Sequence, residues 1–298
     1  RYIIFLHSFC DLRIFHYLCS VKQQIEYIIS QLRESYSYEE SRELAYWIVE
    51  EIYGLTRAEI LIGCKDTKNI PNLEIILQKL RAHVPVQYIF GHTEWKSLDL
   101  RVTPDTLIPR PETAELVEWI LQEADRDKPL GVLDIGTGSG CIAIALKKAA
   151  PKWQVTGLDI SEEALAVAKE NAIRNKVEVN WLQADILSPI ANNPLPIADI
   201  IVSNPPYICD NEKKDMDARV LDYEPHSALF VPDTDPLLFY RQIASLASSP
   251  SLVFFEINEA YGNEVCAMME QMGYSDVQLK NDMYGKPRMV FGAIASKS

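Results

Sequence analysis

The sequence has no run of about 20 apolar residues, the length a helix needs to cross a membrane. Its nearest approach, Arg1 to Ser20, is interrupted by Asp11, Arg13 and His16. Positive charge is also in short supply. Lys and Arg total 29 against 42 Asp and Glu, a net charge of −13. A duplex-binding protein needs a basic face to neutralise phosphates, so direct nucleic-acid binding is disfavoured. The deficit is uneven: residues 1–90 hold 10 basic and 11 acidic side chains, residues 91–298 hold 19 and 31. The acidic part suits a cationic cofactor or a basic partner. The six cysteines, Cys10, Cys19, Cys64, Cys141, Cys209 and Cys266, include no C-x-x-C pair and no zinc-like Cys/His spacing. They read as scattered thiols of a reducing compartment. Tyr2 to Leu18 is rich in aromatics and aliphatics, but lacks the clean apolar core and small-residue cleavage site of a secretory signal. It reads as an extra first helix or as non-native residues, and the protein is expected in the cytoplasm.

What is present is an ordinary globular composition: 48% hydrophobic and 24% charged over 298 residues. That length suggests about two domains. From Val21 to His83 the pattern is helical, with apolar faces at Ile25, Ile28, Ile29 and Leu32, at Leu44, Trp47, Ile48 and Ile52, and at Ile75, Ile76, Leu77 and Leu80. Residues 1–84 are expected to form a small helical domain. Val86, Tyr88 and Phe90, then Trp95, Leu98, Leu100 and Val102, alternate as strands do about Gly91-His92. This predicts a β-hairpin connector over 85–105. Residues 106–298 should form an α/β domain. Strands are expected at Leu130–Ile135, Trp153–Asp159, Val177–Gln183, Ala198–Ser203 and Leu252–Ile257. Helices fill the gaps at Cys141–Ala149, Glu162–Asn175, Pro236–Leu246 and Tyr261–Met272. Alternation of this kind predicts a mostly parallel, doubly wound sheet. Ser275–Lys280 and Arg288–Gly292 should close it as an antiparallel edge hairpin.

Four strand ends carry the chemistry. Asp134-Ile135-Gly136-Thr137-Gly138-Ser139-Gly140 leaves a strand and enters a helix, where free N–H groups and tight turns favour a ligand. The dinucleotide fingerprint G-x-G-x-x-G fails, since Cys141 holds its last glycine position. The glycine run alone leaves nicotinamide and other nucleosides open. Asp159 ends the next strand, where a carboxylate can bind a ribose diol; alternatively it only leads into a helix N-capped by Ser161. Asp185, followed by Ile186, could accept the adenine amine, though an acid after a strand is weak evidence alone. Ser203-Asn204-Pro205-Pro206-Tyr207 follows the fourth strand. Two prolines hold a rigid bend and leave the Pro205 carbonyl without a strand partner. Asn204 adds a side-chain acceptor and Tyr207 a flat face. Two acceptors there suit an –NH2 group on a planar system.

G-x-G-x-G, the ribose-binding Asp and N-P-P-Y in this order resemble class I S-adenosylmethionine-dependent methyltransferases acting on planar nitrogens. Residues 21–293 resemble one family among them, the HemK-like (PrmC-type) release factor N5-glutamine methyltransferases. The likeness includes Pro85-Val86-Gln87-Tyr88-Ile89-Phe90-Gly91, Leu107-Ile108-Pro109-Arg110-Pro111-Glu112-Thr113 and Tyr223-Glu224-Pro225. N-P-P-Y alone is shared with adenine-N6 methyltransferases. The resemblance implies a Rossmann-like, seven-stranded, mostly parallel sheet with a helical N-terminal domain, and a protein-(glutamine-N5) methyltransferase. Its methyl donor is S-adenosylmethionine, with no metal. Its substrate is the glutamine of the Gly-Gly-Gln loop in bacterial class I peptide chain release factors. By position, Gly136, Thr137, Gly138, Ser139 and Gly140 cradle the methionyl group. Asp159 takes the ribose, and Asp185 and Ile186 the adenine. Asn204 touches cofactor and substrate, and Pro205, Pro206 and Tyr207 line the glutamine slot. Asn204, Pro205 and Tyr207 are the expected catalytic set, with Arg110, Pro111 and Glu112 near the mouth. One loop departs from the family: Glu256-Ile257-Asn258-Glu259-Ala260-Tyr261-Gly262 has Asn258 and Tyr261 where Gly and Gln are usual. The competing readings are an adenine-N6 methyltransferase of DNA or RNA, a nicotinamide oxidoreductase and an inactive binding module.

Overall fold

The computed structural model describes residues 21–62, 70–188, 195–248 and 250–294. The expected first helix within Arg1–Ser20 lies outside the described residues. The chain divides into two compact units between Ile89 and Phe90.

The first unit is helical: α1 (Val21–Leu32), α2 (Tyr38–Tyr53), α3 (Arg57–Ile62) and α4 (Leu73–Arg81). Helix α2 shows why its ends fall where they do. Ser37 and Glu40 form a reciprocal capping box at its start, and Gly54, at φ +62°, ends it. Ile25, Ile28 and Leu32 are buried, and so are Ile76, Leu77 and Leu80. The α2 face is turned by about one residue from the expected one. Ser41, Ala45, Ile48 and Val49 are buried, while Leu44 and Trp47 are half-buried.

Val86–Phe90 is helix α5, not a strand. Pro85 presets a turn, its carbonyl accepts from the Tyr88 and Ile89 amides at 3.0 and 3.1 Å, and Val86 alone is buried there. The apolar alternation corresponds to no one-sided burial, since Gln87, Tyr88, Ile89 and Phe90 are all half-buried. The hairpin starts later, as β1 (His92–Trp95) and β2 (Leu98–Arg101), joined by Lys96 and Ser97 at φ +49° and +58°. Positive φ at both turn residues matches the twist of a two-residue hairpin.

The second unit is built on seven strands. They are β3 (Gly131–Ile135), β4 (Gln154–Asp159), β5 (Asn180–Gln183), β6 (Ile200–Ser203), β9 (Ser251–Glu256), β10 (Ser275–Asn281) and β11 (Pro287–Ile294). A separate two-stranded pair, β7 (Ile208–Cys209) and β8 (Phe230–Val231), follows β6. The sheet order is β10-β11-β9-β6-β3-β4-β5. The strands from β9 to β5 run parallel, and β10 and β11 are antiparallel. The terminal hairpin is therefore at the edge, with its second strand inserted beside β9. Helices α6 (Pro111–Glu123), α7 (Cys141–Ala149), α8 (Glu162–Arg174), α9 (Ala218–Tyr223), α10 (Leu238–Ala244) and α11 (Gly262–Gln271) complete the unit. Trp119, Trp153 and Phe254 fill one side of the sheet, and Tyr240, Phe255 and Val265 fill the other. The chain winds outward from β3 through β4 to β5, then returns to β6. The C-terminal ends of β3 and β6 thus flank a topological switch point, where open α/β sheets bind ligands.

Candidate active site

Beyond β3 the backbone turns through Gly136, Gly138 and Gly140, at φ +70°, +54° and +80°. The turn is tied to β4. The Gly136 and Thr137 amides donate to the Leu158 carbonyl at 2.8 and 2.9 Å, and the Gly138 amide donates to Asp159 Oδ2 at 2.8 Å. Asp159 Oδ1 accepts from the Ser161 amide at 3.0 Å, so this carboxylate braces the glycine turn as well as facing the cavity.

The glycines serve different ends. A Cβ on Gly138 would meet no protein atom within 4 Å, so that position opens onto free space. A Cβ on Gly140 would lie 2.9 Å from Trp181 and 3.1 Å from Ala168. Gly140 is required by packing, and it does not line the cavity.

That cavity, about 410 Å³, lies over the switch point. It gathers Gly136, Thr137, Gly138, Ser139, Asp159, Asp185, Ile186, Asn204, Pro205, Pro206 and Arg110. Asp185 holds its own turn, accepting from the Leu187 amide at 2.9 Å and the Ser188 hydroxyl at 2.6 Å. Tyr207 lines a second hollow of about 210 Å³ instead. The two hollows share Leu107, Arg110, Asn204 and Ala228. Pro111 and Glu112 line neither; Pro111 opens α6. Asn204 therefore stands where a larger chamber meets a smaller one.

Three supports of this junction come from residues far apart in sequence. Arg110 donates to the buried carboxylate of Glu224 at 2.6 Å, and Glu224 also accepts from the Ile108 amide at 3.2 Å. This joins the P-R-P-E-T segment to Tyr223-Glu224-Pro225. Asn258 donates to the Tyr207 carbonyl at 3.1 Å and to Glu212 at 3.1 Å, while Tyr261 meets Cys209 Sγ at 3.5 Å. The two departures from the family pattern thus brace the segment carrying N-P-P-Y. Glu256 is 1% exposed. It accepts from the Thr113 hydroxyl at 2.6 Å and the Tyr207 hydroxyl at 3.4 Å. Burial pushes its carboxyl up to about 7, against lowering by the Thr113 hydroxyl and Arg288. The Tyr207 phenol is raised as well, by burial and then by Glu256.

Asp134, at the end of β3, is fully buried and its carboxyl is raised to about 7, chiefly by burial. Oδ2 accepts from Thr137 and the Ala143 amide, while Oδ1 has no protein partner. The fold holds a proton there that the unfolded chain releases near the ordinary carboxylate value. This contribution to stability is present at low pH and is lost as pH rises through about 7. Asp134→Asn should gain stability relative to wild type between about pH 5 and about pH 8. Thermal unfolding at both values tests this; an unchanged gap would contradict it.

The residues fit an adenosyl sulfonium ligand. Gly138 leaves open space, Asp159 has lone pairs to spare for a diol, and Ile186 offers apolar surface beside Asp185. Among the described residues, no group of three or more His, Cys, Asp or Glu could hold a metal ion, and no helix is long and apolar enough to cross a membrane.

Two family models match the chain. The methyltransferase small domain matches residues 113–222, and the PrmC N-terminal domain matches residues 23–91. The release factor glutamine methyltransferase of Flavobacterium psychrophilum is 40% identical over 280 residues, 91% of this chain and 98% of its own. The chain belongs to the release factor glutamine methyltransferase family. The family member of Bacteroides thetaiotaomicron is 43% identical, covering 89% of this chain and 96% of its own. A solved structure from Alicyclobacillus acidocaldarius, a release factor-specific protein-(glutamine-N5) methyltransferase, is 28% identical. It covers 66% of this chain and 99% of its own, with a TM-score of 0.40. With the methyltransferase small domain matched at residues 113–222 and this family membership, the second unit is a class I S-adenosylmethionine-dependent methyltransferase domain, as the resemblance implied, with S-adenosylmethionine as methyl donor.

Proposed function

We propose that this chain methylates the side-chain amide nitrogen of the glutamine in the Gly-Gly-Gln motif of class I peptide chain release factors, in the cytoplasm. The observation that carries the reading is the position of Asn204, shared by two adjoining hollows. One is large enough for the methyl donor; the other is a narrower slot beside Tyr207.

In this reading Gly136, Thr137, Gly138 and Ser139 hold the methionyl end, with Gly140 setting the turn. Asp159 takes the ribose hydroxyls, and Asp185 and Ile186 take the adenine. Pro205, Pro206 and Tyr207 flank the glutamine. Arg110 belongs to the mouth, on its wall, and Pro111 and Glu112 follow it in the first turn of α6. Residues 1–84 recognise the body of the factor, 85–105 connect, and 106–298 catalyse.

A carboxamide nitrogen is a poor nucleophile because its lone pair is delocalised. When bound, S-adenosylmethionine supplies an already electrophilic methyl group. The chain's task is to orient the nitrogen in line, and positioning can lower a barrier by about 7–11 kcal/mol at best. Asn204 Oδ1 and the Pro205 carbonyl accept the two N–H bonds. As positive charge grows on the nitrogen these acceptors bind it more tightly, which is selective for the transition state. The methylated amide is acidic and gives its proton to solvent, so no strong base is needed.

The adenine-N6 alternative shares the N-P-P-Y chemistry, but the net charge of −13 and the family membership disfavour it. Peptide mapping after incubation with the methyl donor and an intact release factor is the direct test. A single methyl on the Gly-Gly-Gln glutamine is expected; methylation elsewhere would overturn the assignment.

A further inference from the structure

An acceptor role for Asn204 needs its amide turned one way. Oδ1 must face the substrate and Nδ2 must face the protein. The amide is nearly symmetric in shape, so its hydrogen-bond partner decides the orientation. The Asn204 Nδ2 contact is Thr113 Oγ1, at 3.4 Å, the long end for such a bond. A threonine hydroxyl alone settles nothing, because it can donate or accept. Here it has a second partner. Glu256 Oε2 lies 2.6 Å from the same oxygen, in a site closed to water.

Above about pH 7 the Glu256 carboxylate form dominates and only accepts, so there the single hydroxyl proton of Thr113 is committed to Glu256. The hydroxyl then offers Asn204 lone pairs and no proton. Nδ2–H is attracted to it, and a carbonyl oxygen in that place would face a second acceptor. We infer that Thr113 and Glu256 are positioning residues that lock the Asn204 amide with its oxygen toward the substrate nitrogen. Neither touches the reacting atoms. The chain of contacts joins α6, β9 and the loop after β6, separated by 143 and 91 residues in sequence. This inference rests on the proposed reaction.

The test compares Thr113→Val, which keeps the shape and removes the hydroxyl, with Thr113→Ser, which keeps the hydroxyl. Assays run about one pH unit above the Glu256 value, where its carboxylate form dominates. Wild-type methylation of an intact release factor is the control: if it is absent, the proposed reaction fails, whatever the variants do. With that control active, Thr113→Val should lower kcat about 5–10-fold, the worth of one neutral hydrogen bond. KM for the factor and affinity for S-adenosylhomocysteine should change less than about twofold, since neither binding surface is altered. Thr113→Ser should restore most of kcat. In an Asn204→Ala background, Thr113→Val should cost nothing more, because the group it orients is gone. Should the valine variant fold poorly, Thr113→Ala replaces it with the same expectations. Equal loss in the Ser and Val variants would mean a packing role, and a loss that multiplies onto Asn204→Ala would mean an independent one. Either result, or wild-type turnover in Thr113→Val, overturns the inference.

Discussion

Asn204→Ala should lower kcat by at least about 10²-fold, the usual cost of removing one preorganised polar group from a reacting centre. The side chain is expected to bind the growing positive charge more tightly than the ground state. The loss should therefore fall on kcat and kcat/KM together, with KM for the release factor nearly unchanged. Binding of S-adenosylhomocysteine should weaken far less than turnover, because the glycine turn and Asp159 are held by main-chain contacts that do not involve Asn204. Steady-state kinetics beside calorimetric titration separate the two quantities. Turnover within about threefold of wild type would remove Asn204 from the reaction, since the expected loss is far larger.

Asp159→Ala should weaken S-adenosylhomocysteine binding by about 10²-fold or more. Hydrogen bonds to a charged group contribute about 1.5–3 kcal/mol each, and a ribose diol offers two. The alanine also removes the acceptor for the Gly138 and Ser161 amides, so the turn loses two braces with the ligand contact. Asp159→Asn separates these effects. Its single amide oxygen can keep one main-chain contact, and a loss nearer tenfold is expected from weaker, neutral hydrogen bonds. Titration with the product analogue is the measurement. An alanine variant that binds as wild type would show that Asp159 makes no contact with the ribose.

The regular parts of the second unit were legible because their signals are long. The expected helix Cys141–Ala149 matches its observed bounds, and seven strands stand where apolar runs predicted them. The two-residue strands β7 and β8 and the six-residue helix α9 are too short to show a period, and the 13-residue helix α6 was not expected because it precedes the first strand of the seven-stranded sheet and lies outside the strand–helix alternation. Val86–Phe90 misled because its alternation looks like a half-buried strand, while Pro85 and local hydrogen bonding favour a helical turn. The cavity-facing residues after β3, β4, β5 and β6 were legible because each sits at a strand end with a glycine, acid or proline beside it, whereas Arg110, at the start of α6, came from the resemblance alone. Their supports were not. Thr113 and Glu256 are 143 residues apart, and Arg110 and Glu224 are 114 apart. Local spacing holds no record of such pairs. Gly140 shows the converse: its place in the motif suggests a ligand, while its missing Cβ makes room for Trp181.

The central claim is methyl transfer to one glutamine of a release factor. Its most direct test incubates this protein with labelled S-adenosylmethionine and three acceptors in parallel. These are a purified bacterial release factor, the same factor with its Gly-Gly-Gln glutamine changed to alanine, and duplex DNA. Label on the unaltered factor alone is the predicted result. Label on the altered factor or on DNA, or none on any acceptor, would contradict it.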